Sequence, residues 1–261
     1  MLLAIDIGNT NIVLGVFDGA TLVQSWRLLT LRERTADEVG FVVVGLFAHE
    51  KIDLGSVSSI VIGSVVPVLT PIMTSMCERY FKKRPLVVKP SSNAGMPILY
   101  KNPEEVGADR IANSIAAYET YGKSRKLPLI IADLGTATTF DAVSAKGEYL
   151  GGVICPGPQI AAEALFQRAA RLPRVDVRKP ASVIGQTTVG AIESGLFYGY
   201  LGMVEAIIER MTSELGGPGG KVTCIATGGL AALIVPESKL FDATEPDITL
   251  HGLRIVWERN Q

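Results

Sequence analysis

DLGTATTFDAV at residues 133–143 and DIGNTNIVLGV at residues 6–16 are two versions of one pattern. In each, an apolar run (LPLIIA before Asp133, MLLAI before Asp6) delivers an aspartate, then a glycine two residues later. Small hydroxyl or amide side chains follow, and then a second apolar run. The chain next turns alike in both places, VFDGATLV at 16–23 against VSAKGEYL at 143–150. The two aspartates stand about half the chain length apart. One strand–turn–strand unit used twice predicts an α/β protein of two similar domains facing each other across a cleft.

The residue types in the turn suit phosphate. Gly8 and Gly135 are expected to take positive φ and let phosphate approach backbone N–H groups without a side-chain clash. Asn9, Thr10, Asn11, Thr136, Thr138 and Thr139 supply short neutral donors. Asp6 and Asp133 would repel phosphate directly, so each must hold a cation, a water or a proton. Mg²⁺ with retained waters is the usual bridge from carboxylate to nucleotide phosphate. A single Asp-x-Gly turn with a following Thr or Asn reads equally well as a β-turn with an Asx hydrogen bond; a copy at the head of each half does not. The chain has no G-x-x-x-x-G-K-[ST], and no strand is followed by G-x-G-x-x-G.

Composition narrows the class. The 261 residues are 48% hydrophobic and 20% charged, with a net charge of −1, which gives no electrostatic reason to expect nucleic acid or an anionic membrane. Cys77, Cys155 and Cys224 are scattered, which excludes a disulfide framework and fits reduced thiols in a cytoplasmic protein. The N-terminus carries no secretory pattern and no uninterrupted apolar run is long enough to cross a bilayer. His49 and His251 are the only histidines and neither has a nucleophile or second ligand nearby, so carboxylates must carry any acid–base work.

Along the rest of the chain, Thr35-Ala-Asp-Glu38 reads as a capping box opening a helix toward His49. A second helix is expected over about residues 71–81, and residues 89–107, which include Tyr100, read as a long loop. Asp109 and Arg110 stand at the first turn of a helix, and local sequence supports two readings. Asp109 is either a capping charge beside a surface arginine, or a base beside an arginine that clamps an anion. Gly190, Ala191, Ser194, Gly195 and Gly199 would let helices approach closely, inside the domain or across a dimer. ATGGLA at 226–231 reads as strand, Gly-Gly turn and helix start, a form that suits an adenosine against backbone, and the last residues as an amphipathic helix.

In order, DIGNTN at Asp6, GADR at Gly107, DLGTATT at Asp133, GGVICPGP at Gly151, TTVGAIESGLFYG at Thr187, ATGGLA at Ala226 and LHGLR at Leu250 resemble the type III pantothenate kinases. This is a family of the acetate and sugar kinase/Hsp70/actin superfamily, and the resemblance covers nearly the whole chain. It implies two duplicated RNase H-like (actin-like ATPase) domains with a cleft between them, divided here as 1–118 and 119–261. It implies ATP-dependent phosphorylation of pantothenate to 4′-phosphopantothenate, the first step toward coenzyme A. On it, Asp6, Ile7, Gly8, Asn9, Thr10, Asn11, Ile12, Val13 and Thr136 bind ATP, with Asp6 reaching Mg²⁺ or another divalent ion through water. Asp109 is the catalytic base. Tyr100, Gly107, Ala108, Asp109, Arg110 and Thr188 bind pantothenate, with Thr188 contributed across a homodimer. Asp133 holds a monovalent cation, K⁺ or NH₄⁺. Thr187 departs from the family's frequent Asn, and His251 from its frequent Glu. Two alternatives remain: a non-catalytic accessory or transcriptional factor of the same fold, and a kinase for another small hydroxy-carboxylate.

Overall fold

A computed structural model describes residues 1–169, 172–216 and 220–261, which form two compact units. The first comprises Met1–Ala116 with Asp247–Gln261, the second Ala117–Pro246. The division at 118/119 therefore needs one correction: the C-terminal helix (Ile248–Glu258) belongs to the first unit, not the second.

In the first unit the strands are β1 (Leu2–Ile7), β2 (Asn11–Asp18), β3 (Thr21–Leu29), β4 (Ser59–Ser64) and β5 (Leu86–Val87). They lie in the order β3-β2-β1-β4-β5, with β2 antiparallel and β4 parallel to β1. Central β1 is apolar at every position but Asp6 because helices cover both its faces. On one face lie α1 (Ala36–His49) and α2 (Thr70–Met76), with Val39, Val43 and Phe47 packed among Leu3, Ile5 and Ile7. The capping box of α1 is closed in both directions: Glu38 N–H donates to Thr35 Oγ1 at 3.3 Å and Thr35 N–H to Glu38 Oε2 at 2.7 Å. The expected helix over 71–81 is α2 followed by a π turn, Cys77–Phe81, stopped by Lys82 at φ 57°. On the other face the C-terminal helix sits close, because a Cβ on Gly15 or Gly63 would come within 2.7 Å of Leu250 or Leu253 respectively. The segment 89–107 is more ordered than a plain loop. It contains α3 (Pro90–Asn93) and a 3₁₀ turn (Pro103–Glu105), tied to the chain's end by Arg259 Nη1 donating to Gly95 O at 2.7 Å. It leads into α4 (Ala108–Ala117), which is buried all round rather than along one stripe.

The second unit repeats the path. After a π turn at Tyr118–Gly122 and α5 (Lys123–Arg125) come β6 (Leu129–Leu134), β7 (Ala137–Val143) and β8 (Tyr149–Pro156). Then follow α6 (Pro158–Arg168), α7 (Thr188–Gly216), β9 (Thr223–Thr227), α8 (Ala231–Ile234) and β10 (Ala243–Thr244). The order β10-β9-β6-β7-β8 is that of the first sheet, strand for strand. Asp6 lies opposite Val13 and Gly63, and Asp133 opposite Thr139 and Thr227. Both second hairpins shift register at the matching place, Val16/Phe17 and Ala142/Val143. The duplication read from the sequence is a duplication of backbone path.

Helix α7 buries Phe197, Tyr200, Val204, Ile208 and Met211 against the sheet at spacings of three and four. A Cβ on Gly195 or Gly199 would meet nothing within 4 Å, so among the described residues these two glycines of the stripe bring no helix close. Among the described residues α7 is the one helix long and apolar enough to cross a membrane by length and composition, and 39% of its most apolar window is buried in the protein.

Candidate active site

Each unit places its aspartate one residue before the end of its central strand, where that strand and its parallel neighbour both deliver their carboxyl ends. Ligands of α/β sheets gather at such ends. In the first unit Gly8 N–H donates to Asn11 O at 3.0 Å, closing the turn between β1 and β2. Thr30, at the end of β3, pins it twice: its hydroxyl donates to Gly8 O at 2.7 Å and its N–H to Thr10 O at 2.9 Å. Sequence reasoning passed over Thr30, which carries no local signal; only the register of β2 and β3 brings it there. Ile7 and Ile12 are core residues, so within this turn only their main chain is available to a ligand, while Asn9 and Thr10 are exposed and Gly8, Asn11 and Val13 half-buried.

Neither Gly8 nor Gly135 has positive φ, which corrects the expectation for both turns. Their glycines make room instead. A Cβ on Gly8 would stand 3.0 Å from Asn11 O, and one on Gly135 3.2 Å from Ala137 O. The left-handed glycine is Gly228, at φ 90°, in the turn after β9. Its Cβ would lie 2.4 Å from Asp133 Oδ1, so only glycine lets the ATGG backbone lie against that carboxylate.

At the head of α4, Asp109 Oδ1 accepts the Arg110 N–H at 2.7 Å. Burial pushes the Asp109 carboxyl above the usual carboxylate range, and the Arg110 N–H and guanidinium offset part of that. Arg110 itself is 8% exposed, so it is no surface arginine. The pair is thus a half-buried carboxylate with raised proton affinity beside a buried cation. Gly107 makes the arrangement possible, since a Cβ there would fall 2.3 Å from Asp109 Oδ1. Ala108 is buried in the core, and Tyr100, on the preceding segment, is 37% exposed.

In the second unit the turn after β6 is held from behind. Gly157 N–H donates to Thr136 O at 3.0 Å, and a Cβ on Gly157 would strike the Gly135 and Thr136 carbonyl oxygens at 2.4 Å. The Pro-Gly-Pro before α6 is thus a close backbone contact. Thr136 is exposed, whereas the buried Thr138 hydroxyl shares a 2.6 Å hydrogen bond with Tyr200 of α7. Burial first, then the nearby Asp133 and Cys155, push the Tyr200 phenol up to about 12, so it stays neutral. Tyr200 was read only as part of a helix, and nothing in its spacing marks it as the neighbour of Asp133. Thr188 is the first residue of α7 and is exposed. Thr187 caps that helix, its hydroxyl accepting the Gly190 N–H at 3.1 Å. Asn and Thr are both good N-caps, so the departure at this position keeps its job.

Among the described residues no three His, Cys, Asp or Glu side chains cluster as a metal cage. Asp6 and Asp133 each stand near the carboxyl end of a central strand, where a single carboxylate suits an ion that draws most of its ligands from phosphate and water. Cys77 and Cys224 are buried thiols pushed up to about 12 by burial, outside this chemistry.

Residues 2–210 match the profile of the family described as type III pantothenate kinase. A protein of that name from Koribacter versatilis is 52% identical over all of this chain and 96% of its own length. Another from Myxococcus xanthus is 53% identical over all of this chain and 99% of its own length. Among solved structures, a Campylobacter jejuni protein described as a Baf family transcriptional activator superposes with TM-score 0.61 at 19% identity, covering 99% of this chain and 98% of its own. A Sinorhizobium meliloti protein described as a 2-dehydro-3-deoxygalactonokinase gives 0.57 at 12%, covering 99% and 96%. At those identities the superpositions establish the fold, that of the actin-like ATPases and sugar kinases.

Proposed function

The chain belongs to the type III pantothenate kinase family, and on that premise we propose that it transfers the terminal phosphoryl group of ATP to pantothenate, forming 4′-phosphopantothenate. The observation that carries the chemistry is the Asp109 carboxylate: half-buried, raised in proton affinity, and held by the Arg110 N–H at the head of a helix.

Phosphoryl transfer asks a protein mainly for alignment and for charge to balance the phosphates. The turn from Asp6 to Val13 offers backbone N–H groups with the Asn9, Thr10 and Asn11 side chains to the phosphates, and Asp6 would hold the nucleotide's Mg²⁺ through water, which would balance phosphate charge. Thr136 adds a contact from the second turn. Arg110 grips the pantothenate carboxylate, and Tyr100 closes over the substrate. Asp109 accepts the proton of the pantothenate hydroxyl as its oxygen bonds to the γ-phosphorus and the bond from that phosphorus to the β–γ bridging oxygen breaks. ADP departs with the electron pair of that bond. A raised carboxyl serves this role because it takes the proton more readily than an ordinary aspartate. Asp133 would hold a monovalent cation, K⁺ or NH₄⁺, which would supply positive charge to balance the phosphates. Thr188 reaches the substrate of a partner subunit, consistent with its exposure and with the open glycine stripe on the same helix. We place the enzyme in the cytoplasm, where its reduced thiols belong.

ATP turnover with pantothenate, in potassium and then in sodium, tests this reading. Pantothenate-dependent ADP release that needs potassium is the expected result. Absence of turnover in both salts from folded protein would reject the kinase in favour of an accessory role. Turnover that ignores the cation would remove Asp133 from that assignment alone.

A further inference from the structure

α4 carries a second polar side chain on the side of Asp109. Asn113 follows it by four residues, one helical turn, which sets the two Cβ atoms roughly 5–6 Å apart on one side of the helix. Asn113 is 1% exposed. Its Oδ1 accepts the hydroxyl of Thr249, from the C-terminal helix, at 2.7 Å. Its Nδ2 has no hydrogen-bond partner among the described residues. The helix around it is built from Ile111, Ala112, Ile115 and Ala116, all buried, where leucine would fill the same space without a polar group. The other small polar residue of this helix, Ser114, is satisfied locally, its hydroxyl donating to Arg110 O at 2.8 Å. An unsatisfied buried amide one turn from the reacting carboxylate is a structural cost that packing does not explain.

We propose that Asn113 is a positioning residue for phosphoryl transfer. Across one water, its Nδ2 donates to the Asp109 oxygen that the Arg110 N–H does not hold, so the carboxylate keeps one plane toward the attacking hydroxyl. With one oxygen held by the helix and the other by Asn113, the carboxylate cannot rotate away from the proton it must take. The inference rests on the reading of Asp109 as the base.

The test compares Asp109→Asn, Asn113→Leu and Asn113→Asp with the parent enzyme, measuring kcat, both KM values and the thermal midpoint. Asn113→Leu is expected to lower kcat about tenfold, as a loosened catalytic group does, with both KM values and the thermal midpoint retained. Asn113→Asp keeps the acceptor for Thr249 but lacks the donor, and is expected to lose at least as much. A folded Asn113→Leu enzyme with parental kcat overturns the proposal. So does a raised KM for pantothenate at unchanged kcat, which would put Asn113 on the substrate. A Leu variant that loses midpoint and kcat together while the Asp variant keeps both would make Asn113 structural and overturn it too. Parental kcat in Asp109→Asn would instead remove the base, and the proposal with it. Loss there alongside a normal Asn113→Leu enzyme would sink the positioning role alone.

Discussion

Gly107→Ala isolates the geometry of Asp109 from its chemistry. Gly107 has no positive φ, so alanine brings no backbone strain. Its Cβ would stand 2.3 Å from Asp109 Oδ1 and 3.2 Å from Val65 Cγ1. The first contact is impossible, and the atom that must yield is the tip of a side chain, so Asp109 swings by about 1 Å rather than the fold giving way. Oδ1 is also the atom that accepts the Arg110 N–H at 2.7 Å. That bond, of a charge-assisted kind contributing roughly 1.5–3 kcal/mol, is lost with the movement. Displacing a reacting group by about 1 Å costs roughly a hundredfold in rate, so kcat is expected to fall between ten- and a hundredfold, about 1.4–2.8 kcal/mol of barrier. Coupled-assay turnover at saturating ATP and pantothenate measures it, with circular dichroism as the control for folding. In an Asp109→Asn background the same alanine should add no further loss. A folded Gly107→Ala enzyme with unchanged kcat would show that turnover does not depend on where Oδ1 sits, and the argument for Asp109 would fail.

Gly228→Ala should behave oppositely, because its Cβ meets Leu134 backbone at 2.7 Å as well as Asp133 and its φ is 90°. Left-handed strain and overpacking together cost about 2–5 kcal/mol, read as a lower urea midpoint for unfolding. Asp109→Asn should abolish turnover yet raise the thermal midpoint at neutral pH. The sign follows from the raised carboxyl: its proton is bound more tightly folded than unfolded, so its favourable contribution is complete below the unfolded value and is lost as pH rises through the folded one. The stability gap between variant and parent should therefore shrink on acidification below the ordinary carboxyl range, and a gap independent of pH would count against the burial of this group. Thr35→Ala, which removes one half of a closed capping box, should cost about 1 kcal/mol in chemical denaturation and leave kcat untouched.

What could be read from residues alone was set by how local the cause is. The repeat of an Asp-x-Gly turn with matching flanks made the duplicated sheet legible, because a central strand, its turn and its hairpin partner are contiguous in sequence. The capping box at Thr35 and the helix beginning at Asp109 were legible for the same reason. The C-terminal helix was readable as a helix but not as a member of the first unit, since amphipathicity carries no address. Its docking sites were present as Gly15 and Gly63, glycines inside strands, whose meaning depends on Leu250 and Leu253 far along the chain. Gly8 and Gly135 do not take positive φ, whereas Gly228, beside Asp133, does. A glycine can serve conformation or clearance, and the sequence does not separate the two. Thr30 and Tyr200 were missed because each reaches its turn from another strand or helix.

The return of Asp247–Gln261 to the first unit has a consequence for synthesis. A ribosome makes residues 1–116, then the whole of 117–246, before it releases the helix that covers the second face of the first sheet. At translation rates of about 5–20 residues per second, that face waits on the order of ten seconds with the Gly15 and Gly63 grooves open to water. A stalled chain ending at residue 246 should be cut by protease within its first unit while its second unit resists, and equal resistance of both would contradict this order. The unit that starts first on the ribosome is thus the one that finishes last.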